Sequence, residues 1–262
     1  MKDFINELTY STVKIECINC DGYIVTGSGF VYTISDIDKK DYYFVITNKH
    51  VIGRANTIKI TIPKNNPINN MHFETYLNIS RIIFHPDSNV DLCAITVDRN
   101  LIEDEEINCF PLWNELLPKK EDMKFSVLEQ VLMLGYPDGL WDSVNCKPII
   151  RYGVTATHIE LDYEGRKEFL IDVACFPGSS GSPVFILDKG KFIGEEGERR
   201  LYLVGVLYAG PQHLVTGEIA GCSIYDSRAT ISSIPNNLGC VISSVRIREL
   251  EEEIIYRMNI VT

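Results

Sequence analysis

The sequence has no run long and apolar enough to cross a bilayer; nothing in it approaches the ~18 apolar residues of a spanning helix. Its opening residues, MKDFINELTYSTVKIE, contain no continuous apolar stretch and no small-residue cleavage signal, so no secretory leader is predicted. Positive charge is scarce as well. Lys and Arg number 25 against 36 Asp and Glu, a formal net charge of −11. Such an excess repels phosphate groups, which argues against nucleic acid or an anionic membrane as a partner. Collagen-like and low-complexity tracts are missing, as is any repeat of solenoid period. Metal ligands are in short supply too. Cys17 and Cys20 form a C-x-x-C, but no second C-x-x-C or H-x₃₋₅-H exists to complete a set of four. The pair reads as part of a hairpin turn, and neither a metal nor a cofactor is expected.

What is present suits a folded protein. In 262 residues, 45% are hydrophobic and 23% charged, enough apolar material for a sizeable core. Of eight cysteines, several lie inside apolar runs: Cys93 in VDLCAITV, Cys175 in LIDVACF, Cys240 in NLGCVI. There a thiol acts as a small buried hydrophobe. Without an export signal, all eight are expected as thiols in a reducing cytoplasm.

Most of the chain reads as short β-strands rich in Val, Ile, Tyr and Thr, bounded by Gly, Pro, Asn and Asp. With no helices interleaved, this pattern predicts an all-β barrel or sandwich. Two segments differ. Residues 111–126 begin PLWNELLPKKEDMK, polar and interrupted by proline, and suit a linker between halves at 10–110 and 127–243. Residues 244–258 place Ile247, Leu250, Ile254 and Met258 at helical spacing behind a serine, predicting a C-terminal amphipathic helix with a core-facing stripe.

The segment PGSSGSPVF at 177–185 carries the strongest chemical signal. Gly178 and Gly181 flank Ser180, so the backbone can turn tightly and aim successive N–H groups into a nest for an oxyanion. A serine hydroxyl needs a base to become a nucleophile. His50 ends the apolar run of FVITNKHVIG in a short polar turn, a setting that His72, His85, His158 and His213 lack. The base in turn needs a carboxylate to hold its tautomer. Asp91, at the mouth of the strand in SNVDLCAITV, is the candidate, with Asp87 and Asp98 as competitors.

Together, TNKHV, VDLCAI and GSSGSP resemble the three active-site motifs of the chymotrypsin-like serine peptidases. PGSSGSPVF and LVGVLYAG are similar to segments of bacterial glutamyl endopeptidases. GSGFVY, VLMLGYPDGL and NLGCVISSVRIREL are similar to segments of HtrA/Deg proteases. The resemblance spans about 13 to 258, with no PDZ-like module in that span. It implies one peptidase domain over residues 1–262, built as two six-stranded β-barrels with the active site in their cleft and a C-terminal helix. Carried across, Ser180 is the nucleophile, His50 the general base and Asp91 its orienting carboxylate. The N–H groups of Gly178 and Ser180 form the oxyanion hole. Ala174, Leu207, Tyr208, Ala209 and Gly210 form the primary specificity pocket.

Departures from the family narrow the expectation. Ser179 stands where trypsin has an aspartate that holds a freed amino terminus, so zymogen-style activation is not expected. Ala174 supplies no acid for a basic side chain, and Leu207 stands where glutamyl endopeptidases have a histidine. An apolar or small residue before the scissile bond is therefore expected. Protein or peptide substrates follow, and a cytoplasmic bacterial protease of this kind implies narrow specificity or a regulatory partner protein. The competing reading is a silent pseudoprotease that binds proteins in the same cleft. The complete triad favours the enzyme.

Overall fold

A computed structural model describes residues 4–64, 72–119, 124–187, 201–218 and 229–262. After a short helix α1 (Phe4–Leu8), β1 (Thr12–Ile18), β2 (Ile24–Ser35) and β3 (Asp41–Thr47) form a meander that ends in the single-turn α2 (Lys49–Ile52). β4 (Thr57–Pro63), β5 (His72–Leu77), β6 (Ile82–Phe84) and β7 (Cys93–Val97) complete the first sheet, and α3 (Arg99–Ile102) follows it. The second half holds β8 (Gln130–Gly135), β9 (Ile149–Thr155), β10 (Glu168–Asp172), β11 (Pro183–Leu187) and β12 (Leu201–Ala209). β13 (Gln212–Glu218), β14 (Ala229–Pro235), β15 (Leu238–Ser243) and α4 (Ser244–Met258) end the chain.

The second half closes into the six-stranded barrel that the sequence suggested, in the order β10-β15-β12-β11-β8-β9. The first half does so only partly. It is a curled sheet of seven strands, ordered β5-β4-β1-β2-β3-β7-β6, whose end strands do not pair. A 3-10 turn at Ile79–Arg81, capped by the Asn78 side chain accepting from the Ser80 N–H at 2.9 Å, takes the residues between β5 and β6 out of extended conformation. The fold is nonetheless the expected double-barrel, mostly β with a C-terminal helix.

Both faces of the central strands are buried, which explains why YYFVIT is continuously apolar rather than alternating. On β2 and β3, Val31, Tyr43 and Val45 point into the first sheet's own core with Val13, Ile15, Ile60 and Ile95. Their neighbours Phe30, Tyr32, Phe44 and Ile46 point the other way, to a core shared with Leu132, Leu134 and Phe185 of the second barrel. A third core, around Met133, Phe169, Ile171 and Val241, fills that barrel.

The segment after α3 packs along β2 instead of hanging free. Leu112 accepts from the Thr33 N–H and donates to the Val31 carbonyl, both at 2.8 Å, and Leu112, Leu116 and Leu117 are buried. Helix α4 covers the shared core as its periodicity predicted, with Ile247, Leu250 and Ile254 wholly buried. Its cap lies one residue earlier than the sequence pattern placed it: Ser243 is the N-cap and Ser244 begins the helix. Leu250→Ala should lower unfolding free energy by about 2–5 kcal/mol in a urea titration, since it opens a cavity under the helix. A loss below about 1 kcal/mol would mean that the stripe does not anchor α4.

Candidate active site

Ladder geometry brings His50 and Asp91 together. β3 and β7 run antiparallel with Thr47 opposite Cys93, so the chain leaving β3 and the chain entering β7 emerge side by side. The Asn48 side-chain amide donates to the Asp91 carbonyl at 2.7 Å, and the Lys49 ammonium donates to the Asp87 carbonyl at 3.2 Å. Buried Val51 and Ile52 pin the turn below. The Asp91 carboxylate then holds His50 at two points. Oδ1 accepts from the His50 backbone N–H at 3.0 Å, and Oδ2 is hydrogen-bonded to ring Nδ1. With Nδ1 committed to the carboxylate, Nε2 is the nitrogen left to exchange a proton with substrate or nucleophile. The His50 side chain is 49% exposed and Asp91 24%, so the pair sits in an open cleft.

Neither competing carboxylate reaches His50. Asp87 accepts from the Asn89 N–H and pairs with Arg246, while Asp98 caps α3 by accepting from the Asn100 N–H. Among the other histidines, His85 is buried beneath Glu249, where desolvation lowers its pKa. His72 stacks edge-on against Trp141.

Ser180 lies in the loop between β10 and β11. Gly178 and Gly181 adopt φ of +85° and +89°, a region that side-chain-bearing residues rarely enter. Close approach adds a second reason for Gly181: a Cβ there would lie 1.9 Å from the Ser28 carbonyl and 2.6 Å from Thr47 Oγ1. The nucleophile loop therefore abuts the end of β3, three residues before His50. Among the described residues, neither the Gly178 nor the Ser180 N–H has an acceptor within the protein, as an oxyanion site requires. The Ser180 hydroxyl itself donates to the Tyr208 carbonyl at 3.2 Å.

Beside Ser180 is a cavity of about 140 Å³ lined by Cys175, Phe176, Pro177, Leu207, Ala209, Gly210 and Gln212. Leu207, Ala209 and Gly210 were expected there; Ala174 and Tyr208 do not line it. The wall residues from the upstream loop are Cys175, Phe176 and Pro177, which begin one position after Ala174. Burial pushes the Cys175 thiol up to about 12, keeping the wall uncharged. Tyr208 is turned aside by a β-bulge: Leu207 pairs with Val241 and Ala209 with Cys240, leaving Tyr208 unmatched. Its hydroxyl donates to Glu168 Oε2 at 2.9 Å. Cys175, Phe176, Pro177 and Gln212 were missed, though the first three directly precede the glycine–serine motif.

Cys17 is buried, with desolvation pushing its thiol up to about 11, and Cys20 contacts the Asn56 amide. The seven described cysteines are unpaired thiols; Cys222 lies outside the described residues. Among the described residues, no cluster of metal-ligating side chains is present and no helix is long and apolar enough to cross a membrane.

No curated protein matches the sequence. Among solved structures, the chain is similar to the HtrA-type protease AlgW with tripeptide, at a TM-score of 0.58 and 15% identity, covering 96% of this chain and 62% of that one. It is also similar to the Rv3671c protease from M. tuberculosis in its active form, at 0.54 and 16%, covering 96% and 84%. A third likeness, at 0.55 and 15%, covering 96% and 65%, is to the serine endoprotease from Yersinia pestis. At these identities the likeness is one of fold, and the chain spans 62% of AlgW's length. The sequence model of the trypsin-like peptidase domain matches residues 27–194, well over half of the chain, and the protein belongs to that family.

Proposed function

We propose that this chain is a serine endopeptidase that cleaves protein substrates through an acyl-enzyme intermediate. The observation that carries the reading is the Asp91 carboxylate gripping both the backbone and ring of His50, with the Ser180 loop packed against Thr47, three residues before it. As substrate enters, the Ser180 hydroxyl leaves the Tyr208 carbonyl and turns to His50 Nε2. Oγ attacks the scissile carbonyl carbon while its proton passes to Nε2. The oxygen that becomes negative is received by the N–H groups of Gly178 and Ser180. The C–N bond breaks as His50 returns the proton to the leaving amine. Water, deprotonated by the same nitrogen, then splits the ester and restores Ser180. Asp91 keeps Nδ1 protonated and supports the imidazolium.

The cavity walls support a small or apolar residue before the scissile bond. Cys175, Leu207, Ala209 and Gly210 carry no charge, and a buried cation or carboxylate would need a partner there. Preference should be modest, because each methylene in such a pocket is worth about 1–3 kcal/mol. Narrow specificity and control by a partner protein in the cytoplasm belong to the same proposal. A fluorophosphonate probe should label Ser180 alone, and a peptide-library profile should favour Ala, Val or Leu before the cut. Labelling at another serine would relocate the site. A profile led by Lys, Arg, Asp or Glu would leave the triad but overturn the pocket.

A further inference from the structure

The two N–H groups offered to an oxyanion belong to a loop whose peptide carbonyls are tied down one after another. The Pro177 carbonyl accepts from the Asp138 N–H at 2.5 Å. The Gly178 carbonyl accepts from the Ser28 hydroxyl at 2.8 Å. The Ser179 and Ser180 carbonyls accept from the N–H groups of Ser182 at 3.1 Å and Ser28 at 2.8 Å. In a planar trans peptide the C=O and N–H point in opposite directions. Holding the Pro177 and Ser179 carbonyls inward therefore turns the Gly178 and Ser180 N–H groups outward to the cleft.

Ser28 is the one side chain in this scheme, and it sits at the middle peptide. That peptide is also the weak point, since it is flanked by Gly178, which rotates more freely than any other residue type. Ser28 is wholly buried, and each of its polar groups is used. Its hydroxyl takes the Tyr136 N–H at 2.9 Å while donating to Gly178, and its carbonyl accepts from Thr47 Oγ1 at 2.7 Å. Tyr136 leads into the turn whose Asp138 N–H holds Pro177, and Thr47 leads into the turn that presents His50. Space is cleared for the contact: a Cβ on Gly135 would lie 2.8 Å from Ser28 Oγ.

We propose that Ser28 is a positioning residue for the oxyanion site, its hydroxyl fixing the Gly178–Ser179 peptide that joins the two donor-bearing peptides, so that the Gly178 and Ser180 N–H groups stay aligned on one substrate oxygen. This rests on the endopeptidase reading above. Removing the hydroxyl leaves the Gly178 carbonyl and Tyr136 N–H buried without partners, and the peptide rotates to find others. Donor and nucleophile then lose their alignment, whereas the pocket and the His50–Asp91 pair, which Ser28 Oγ does not touch, remain.

The test is inactivation of Ser28→Ala by the fluorophosphonate probe, resolved into kinact and KI across pH. Thermal melting runs alongside so that rates are read where the protein is folded. The expected result is a fall in kinact of about 10- to 100-fold, the scale of a misplaced reacting group. KI and the pH midpoint of inactivation should not move. Parent-like kinact overturns the proposal, as does a loss that appears in KI or as a shifted pH midpoint. Should Ser28→Ala not fold, Ser28→Cys, a weaker hydrogen-bonding group of similar shape, decides. Reduced kinact at constant KI and pH midpoint supports the positioning role, and any other result rejects it. A parent protein that takes up no probe rejects the endopeptidase reading itself, and the role of Ser28 with it.

Discussion

Ser180→Ala is expected to lower kcat on a cleaved peptide by about 10⁶, the usual loss when a triad nucleophile is removed. The fold should survive, because the only hydrogen bond that Oγ makes among the described residues is to the Tyr208 carbonyl at 3.2 Å. Its melting temperature should therefore lie close to that of the parent. His50→Ala should cost nearly as much. The double variant should be scarcely worse than either, since nucleophile and base act as a unit. A Ser180→Ala protein that cleaves at the parent rate would end the proposal. Additive losses in the double variant would show that the two residues work in separate steps.

Asp91→Asn is expected to lower kcat by about 10⁴, and the geometry says why. One carboxylate oxygen is already claimed by the His50 backbone N–H at 3.0 Å. The carboxamide must keep its oxygen there, which turns its NH₂ toward ring Nδ1. The ring then carries its proton on Nε2 and can no longer take one from Ser180. Substrate affinity should change little. Asp87→Asn and Asp98→Asn, which alter a loop contact with an exposed ion pair to Arg246 and a helix cap respectively, should retain most of the parent's turnover. If either of them reproduces the Asp91 loss, the carboxylate has been misassigned.

How much of this was legible in the sequence depends on how local each signal is. His50, Asp91 and Ser180 could be read because glycine spacing and strand ends mark sharp turns within a few residues. The helix stripe of Ile247, Leu250 and Ile254 was readable for the same reason. The pocket was legible only in part: Leu207, Ala209 and Gly210 line the cavity as expected, but a mismatch between β12 and β15 turns Tyr208 aside. No pattern within either strand announces a bulge. Nor was the open edge of the first sheet legible, because it depends on whether its two end strands pair. Ser28 was visible only as part of GSGF; its four partners come from residues 47, 136, 178 and 180. Such contacts are fixed by the meeting of the two halves and by nothing nearby in the chain.

The core that the two sheets hold in common also bears on how a substrate gains entry. Phe30, Tyr32 and Phe44 from one side and Leu132, Leu134 and Phe185 from the other are packed beneath α4 as a single apolar mass. Halves that can swing apart are normally joined by a smaller and more polar contact. Here, opening the cleft like a jaw would expose six large side chains to water. Admission of a polypeptide is thereby left to the loops at the rim of the cleft, with no swing of one half against the other. The scaffold beneath them acts as a fixed anvil.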